Sequence, residues 1–132
     1  MNDTLNLYIT SFLNFYLIWN KGIAFGLFSF DENVIYTSIT FLFIFITLII
    51  LILAIRSKDH KGYFFIIIFS GSMGNLYDRL YYSAVPDFIE FYYESFHWFI
   101  FNVADIFVTL GIFCLICVEL MNKDNSNEKN LQ

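Results

Sequence analysis

Charge is sparse in this chain. Only 14% of its 132 residues are Asp, Glu, Lys or Arg, against about 25% in a soluble globular domain. A surface made for water is therefore excluded. Basic residues are the fewer kind, 7 Lys and Arg against 12 Asp and Glu. No basic patch with interleaved aromatics exists, which argues against nucleic acid as a partner. Cysteine occurs twice, as Cys114 and Cys117, with no second C-x-x-C. The two histidines, His60 and His97, fall in different loops, so no zinc cluster is visible in the sequence. The cysteine pair then reads as two small apolar residues in a membrane helix rather than a redox or metal half-site. Glycine and alanine are scarce while Phe abounds, 18 against 6 Gly, a bias from which no function follows. The net charge of −5 is equally uninformative, because the charges sit at the ends of apolar segments.

Hydrophobic residues make up 58% of the chain, and they are concentrated in blocks. Residues 34–55 contain no charge. As a helix they would measure about 33 Å, enough to cross a hydrocarbon core of about 30 Å. Two further spans are predicted at 62–77, ending at Asp78-Arg79, and at 99–118. The polar tail 122–132 lacks aromatics and is expected to be disordered. The length suits one membrane-embedded domain covering 1–132.

Residues 1–33 read differently. The apolar content of 5–30 would permit a span, but Thr10, Ser11, Asn14, Asn20 and Lys21 interrupt it. Aromatic and β-branched residues are frequent, and Asn20-Lys21-Gly22 resembles a turn between two such runs. A hairpin-like β-element at the membrane surface is expected. Arg56, Lys58 and Lys61 place the loop between the first two spans in the cytoplasm. The loop 80–98 has no Lys or Arg and is expected outside, and the tail with Lys123 and Lys129 inside. Within that outer loop Glu90, Glu94 and His97 follow i, i+4, i+7 spacing among aromatics. This predicts an interfacial helix, with His97 an exposed residue of its polar face.

Ionisable groups in or beside a span are costly and so are functional candidates. Asp105 falls seven residues into the third span, with Asn102 at i−3 and Thr109 at i+4 on the same face. Its plainer reading is a polar contact between helices. Asn75 shares a face with Asp78 and Arg79, and the latter two could simply pair at a helix end. Ser70 and Gly74 have the small-x-x-x-small spacing that lets helices approach. Asp87 stands among apolar residues just outside a span. If Asp87 and Asp105 converge, repulsion and burial should leave them sharing a proton. The ionised one could then take a proton from water while the other polarises a peptide carbonyl. That is aspartic peptidase chemistry, and it needs no cofactor and no metal.

Four ordered segments carry a resemblance. They are Asn20-Lys21-Gly22-Ile23-Ala24-Phe25-Gly26, Gly74-Asn75-Leu76-Tyr77-Asp78-Arg79-Leu80, Asp87-Phe88-Ile89 and Phe101-Asn102-Val103-Ala104-Asp105. Together they resemble the motifs of bacterial lipoprotein signal peptidase, signal peptidase II, over about residues 12–118. The resemblance implies an all-α polytopic membrane protein with a small external β-element formed by the region matching 7–30. It implies a multi-pass enzyme of the bacterial inner membrane, active near the external face, that removes signal peptides from prolipoproteins before a diacylglyceryl-modified cysteine. Asp87 and Asp105 would be the catalytic pair, and Asn20, Asn75, Arg79 and Asn102 polar supports of the site and substrate. Asp78 would be structural. Partners would be the lipid-modified prolipoprotein and membrane lipids, with the enzyme a monomer. Two departures stand out. The family usually has four spans, the first with an Asp-Gln-x-x-Lys-like motif, whereas three are predicted here and the chain is expected to start after that span. Pro86 replaces a common aliphatic residue and fixes φ just before Asp87. The rival reading is a non-enzymatic binding or transport subunit using Asp105 and Asp78-Arg79 as a polar pathway, although no internal repeat is visible.

Overall fold

The computed structural model describes residues 6–22, 32–94 and 96–129. Residues 23–26 of the first motif lie outside them. Among the described residues, three helices and four strands follow in the order β1 (Asn6–Tyr8), β2 (Leu13–Asn20), α1 (Glu32–Arg56), α2 (Lys61–Tyr82), β3 (Val85–Tyr93), β4 (Phe96–Phe101) and α3 (Val103–Lys129). The strands form one antiparallel sheet, β1-β2-β3-β4. The helices form a layer in which α2 packs between α1 and α3.

Among the described residues, two helical stretches, Asn33–Arg56 and Val103–Asn122, are long and apolar enough to cross a membrane. Their apolar side chains face outward to an extent that water would not tolerate. Phe41 is 67% exposed, Ile55 74% and Phe113 63%. A continuous patch of this kind marks a surface made for another apolar phase. The α2 helix is less apolar, because Ser70, Ser72, Asn75, Asp78 and Arg79 interrupt it from its middle onward. It is also longer than the 62–77 expected. Asp78 and Arg79 do not stop it, and it continues one further turn to a left-handed Ser83, φ 58°.

Small residues set the helix spacing, but not the pair expected. Ser70 is exposed and donates its hydroxyl to the carbonyl of Ile66. The close approach is at Gly71, where a Cβ would lie 2.4 Å from the carbonyl oxygen of Ala104. Gly111 answers from α3, its virtual Cβ 2.5 Å from the Ile68 side chain. Gly74 is a milder contact, 3.3 Å from the Ala104 Cβ. These contacts draw the start of α3 against the middle of α2, which brings Asn75 beside Asn102 and Asp105.

The expected interfacial helix in 80–98 is not formed. β3 and β4 make an antiparallel hairpin there, with Tyr92 opposite His97 and Glu90 opposite Ile100. The expected span at 99–118 begins later for the same reason, since Phe99, Ile100 and Phe101 belong to β4. The i, i+4, i+7 spacing of Glu90, Glu94 and His97 was compatible with a helix. The competing fact is that Val85–Phe101 is rich in aromatic and β-branched residues, which suit a pleated surface, and that β2 offers β3 a partner edge. That pairing runs from Leu13 opposite Phe91 to Asn20 opposite Val85, with a bulge between Phe15 and Ile18. A β-element is present in the described part of the N-terminal segment, as β1 and β2, but the two turn at residues 9–12 rather than at Asn20-Lys21-Gly22, and the run expected after that turn lies outside the described residues. The element is half of a four-stranded sheet rather than a free hairpin. The tail also differs, because α3 runs on through Lys129. Extending an existing helix adds a hydrogen bond per residue without a new nucleation cost.

Candidate active site

Five polar residues from four elements meet where the sheet joins α2 and α3. Asn102 holds them together. It is the residue before the first turn of α3, and its Oδ1 accepts the N–H of Asp105 at 3.1 Å. In return Asp105 Oδ2 accepts the N–H of Asn102 at 3.1 Å. This is a reciprocal capping box, with Asn and Asp where Ser and Glu are commoner. Asp105 therefore sits in the first turn of α3, where the helix dipole and free N–H groups favour a negative charge. It does not lie a third of the way into a span.

The side-chain amide of Asn102 has two N–H groups, and both are used. One donates to Asn75 Oδ1 at 2.9 Å and the other to Asp87 Oδ1 at 2.7 Å. Asn75 donates in turn to Asp105 Oδ1 at 2.7 Å. Asp87 Oδ2 receives the amide of Asn20 at 2.9 Å. Asn20 is oriented for this by its own turn, since its Oδ1 accepts the Gly22 N–H at 2.7 Å. Asp87, Asn75 and Asn102 are all buried. The two carboxyl groups are thus bridged by one residue, whose side chain serves Asp87 and whose main chain serves Asp105.

Burial raises the pKa of Asp87 above the ordinary 3.8, and the nearby charge of Asp105 adds to this, while hydrogen bonds from Asn20 and Asn102 oppose it. A raised pKa means the folded state holds the proton more tightly than the unfolded chain. The associated stability is fully present below 3.8 and is lost as pH rises through the raised value. Asp87→Asn stays neutral at every pH in this range. The melting temperature of the variant should therefore gain on that of the wild type as pH is raised above 3.8. A constant difference between the two across the titration would contradict the raised value.

Arg79 is enclosed, 1% exposed, but touches neither carboxylate. Its Nε donates to Thr40 Oγ1 at 2.9 Å and its Nη2 to the carbonyl of Lys21 at 3.0 Å. The guanidinium carbon lies 4.5 Å from the centre of the Tyr36 ring. Gly22, at φ +78°, lies close against it, with a virtual Cβ only 2.8 Å from Nη1. A side chain there would be strained at this positive φ and would push the guanidinium aside. Arg79 thus fastens the end of β2 to α1 and α2, one residue from Asn20. Asp78 makes no hydrogen bond or ion pair among the described residues, so the expected Asp78–Arg79 pairing is not formed.

The partners of Glu90, and the parts played by Tyr36 and Thr40, are not among the expectations from sequence. Glu90 is 6% exposed, accepts the Asn14 amide at 2.9 Å and lies 2.9 Å from His97 Nδ1. Tyr36 and Thr40 complete the Arg79 cage from α1. Only the cross-strand and interhelix pairings reveal these partners. Cys114 and Cys117 are free thiols in α3, half-buried as apolar residues would be.

The description "Signal peptidase (SPase) II" belongs to a family model that matches residues 1–121. The chain belongs to the signal peptidase II family. It is 56% identical over 131 residues to the lipoprotein signal peptidase of Pelagibacter ubique (strain HTCC1062), covering 98% of this chain and 79% of that one. It is 38% identical over 116 residues to the lipoprotein signal peptidase of Anaplasma marginale (strain Florida), covering 86% and 66%. A solved bacterial membrane enzyme, determined by the in meso method at 2.3 Å resolution, is similar with a TM-score of 0.71 and 29% identity, over 95% of this chain and 76% of that one. This signal peptidase II chain is accordingly a membrane protease, and its buried asparagine–aspartate cluster lies within the matched region.

Proposed function

We propose that this chain removes the signal peptide from diacylglyceryl-modified prolipoproteins, with Asp87 and Asp105 as the catalytic pair. The observation that carries the reading is Asn102, which bridges both carboxyl groups in a buried cluster. Asp105, at a helix N-terminus, is suited to be the ionised partner that takes a proton from the attacking water. Asp87, with its raised pKa, is suited to hold the proton and polarise the scissile carbonyl. Asn20, Asn75 and Asn102 orient the two acids, and Arg79 holds β2 in place for Asn20. Asp105 also forms part of the wall of a cavity of about 550 Å³ lined by Trp98, Phe101, Ile106, Leu110 and Phe113. It is almost wholly apolar, which suits a lipidated or apolar segment held beside the acids. The transport reading fits less well, because Asp78 takes no part in the cluster and Arg79 is closed off from any path. The test is release of signal peptide from a diacylglyceryl-modified precursor in detergent. Equal cleavage of a precursor without the lipid would overturn the substrate assignment.

The same proposal places the protein in the bacterial inner membrane as a multi-pass monomer. The sheet and the acids lie at the external face, and the α1–α2 connection with Arg56, Lys58 and Lys61 at the cytoplasmic face. In this arrangement α2 also crosses, with its polar half turned to the site and to α1. Single cysteines at Ser57 and Ser83, in a background without Cys114 and Cys117, report on this. An impermeant thiol reagent applied to cells with a permeabilised outer membrane should label position 83 and spare 57. The reverse pattern would invert the orientation.

A further inference from the structure

The end of the helix layer remote from the sheet has its own cavity. It measures about 440 Å³ and lies where α1 ends and α2 begins. Its polar lining is Ser57, Lys58, Asp59 and His60. Its apolar lining includes Ala54, Ile66 and Tyr63. The neighbouring outward apolar surface continues from it along the helices, through Ile52, Leu53 and Ile55 on α1 and Ile66 on α2, all of them more than 40% exposed.

Charge at this end is unevenly matched. Lys61 is paired with Glu119. Arg56 and Lys58 make no ion pair among the described residues. Asp59 is the one acid lining the cavity, and its Oδ1 accepts the Lys61 N–H at 3.1 Å. The next two amides of α2 are also used, Gly62 N–H on the Asp59 carbonyl and Tyr63 N–H on the His60 carbonyl. An anion here would therefore be held by side chains rather than by the helix end. His60 lies against the Tyr63 ring, with centroids 6.4 Å apart, which fixes one wall.

We propose that this cavity binds the phosphodiester headgroup of an anionic membrane phospholipid. Lys58 and His60 face the phosphate, Ser57 donates its hydroxyl, and the acyl chains follow the apolar side chains of α1 and α2. The match lies in the combination of an unpaired cation, a polar mouth and an apolar wall that runs into the lipid-facing surface. Basic pockets between membrane helices recognise headgroups in this way. The site is at the opposite end of the layer from Asp87 and Asp105, so it is a second binding site rather than part of the peptidase cleft.

The experiment is native mass spectrometry of the full chain released from detergent. Separate samples carry phosphatidylglycerol, phosphatidylcholine or inorganic phosphate. The wild type should retain phosphatidylglycerol in preference to phosphatidylcholine, and Lys58→Gln should reduce that preference roughly five-fold. Lys58→Gln/His60→Gln should reduce it further. Lipid-free melting temperatures must match the wild type, so that loss of lipid is not loss of fold. Equal retention of the two lipids, or an unaltered preference in both variants, overturns the proposal. So does displacement of phosphatidylglycerol by millimolar inorganic phosphate, which would show a site for free phosphate instead.

Discussion

Asp87→Asn and Asp105→Asn should each lower signal-peptide release by about a thousand-fold or more, the range that general acid–base groups supply. The double variant should be no worse than either single one, because groups that act as a unit are not additive. The hydrogen bonds also show what these variants do besides removing a charge. Both oxygens of Asp87 accept from amide N–H groups, one from Asn20 and one from Asn102. An Asn at this position must turn its own N–H₂ toward one of those donors. Neither neighbour can flip to help, since Asn20 Oδ1 holds Gly22 and Asn102 Oδ1 holds Asp105. At Asp105 the same substitution sets a donor against either Asn75 or the main chain of Asn102, and weakens the capping box by about 1 kcal/mol. Each variant should therefore melt somewhat lower at acidic pH, yet remain folded. Asp78→Asn is the control. Asp78 has no hydrogen-bond or ion-pair partner among the described residues, so stability should change by no more than about 0.5 kcal/mol and cleavage should persist. Substantial turnover by folded Asp87→Asn or Asp105→Asn protein would remove the catalytic pair.

The residues of this cluster were visible in the sequence, and their geometry was only partly so. Asn102 and Asp105 are three apart, which places them together on any helix. The spacing also fits a helix start, since Asn followed three residues later by an acid is a capping pattern. Read as the start of α3, it fixes Asp105 at the positive end of the helix. Read as one face of a longer span, it puts a charge deep in lipid. The difference is the β4 strand, whose aromatic residues are equally at home in a membrane helix. Asp78-Arg79 misled in a similar way. A pair of charges at the end of an apolar run suggests a helix stop, but α2 continues because Arg79 is enclosed by Tyr36, Thr40 and Lys21 from elsewhere in the chain. The contacts of Asp87 could not be read locally at all. They depend on β2 pairing with β3, with two helices between them in the chain, and on the bulge between Phe15 and Ile18. Gly71 and Gly111 belong to the same class, because only the approach of α2 and α3 shows which small residues are needed.

Replacing Arg79 should have the second-largest effect, and by a different route. Arg79 meets neither acid, but it holds the Lys21 carbonyl, next to the Asn20 that donates to Asp87 Oδ2. Arg79→Met keeps much of the side-chain volume but leaves that carbonyl and Thr40 without the guanidinium. The loss of these bonds and of ring contact should cost about 2–5 kcal/mol in stability. The end of β2 would then be free to shift, and a displacement of about 1 Å at a reacting group can cost on the order of a hundred-fold in rate. Arg79→Lys should not restore the wild-type rate. A lysine ammonium is a point charge on a flexible stem, and lacks the planar fork that serves Thr40 and Lys21 together. Because Gly22 packs directly on the guanidinium, Gly22→Ala should reproduce the rate loss with Arg79 intact. It adds a Cβ 2.8 Å from Nη1 at a positive φ. The measurement is kcat and KM for each variant at a temperature well below its own melting point. Folded Arg79→Met with wild-type kcat/KM would show that Arg79 stabilises the fold without positioning the acids. A fall in kcat shared by Arg79→Met, Arg79→Lys and Gly22→Ala would tie the rate to the placement of β2.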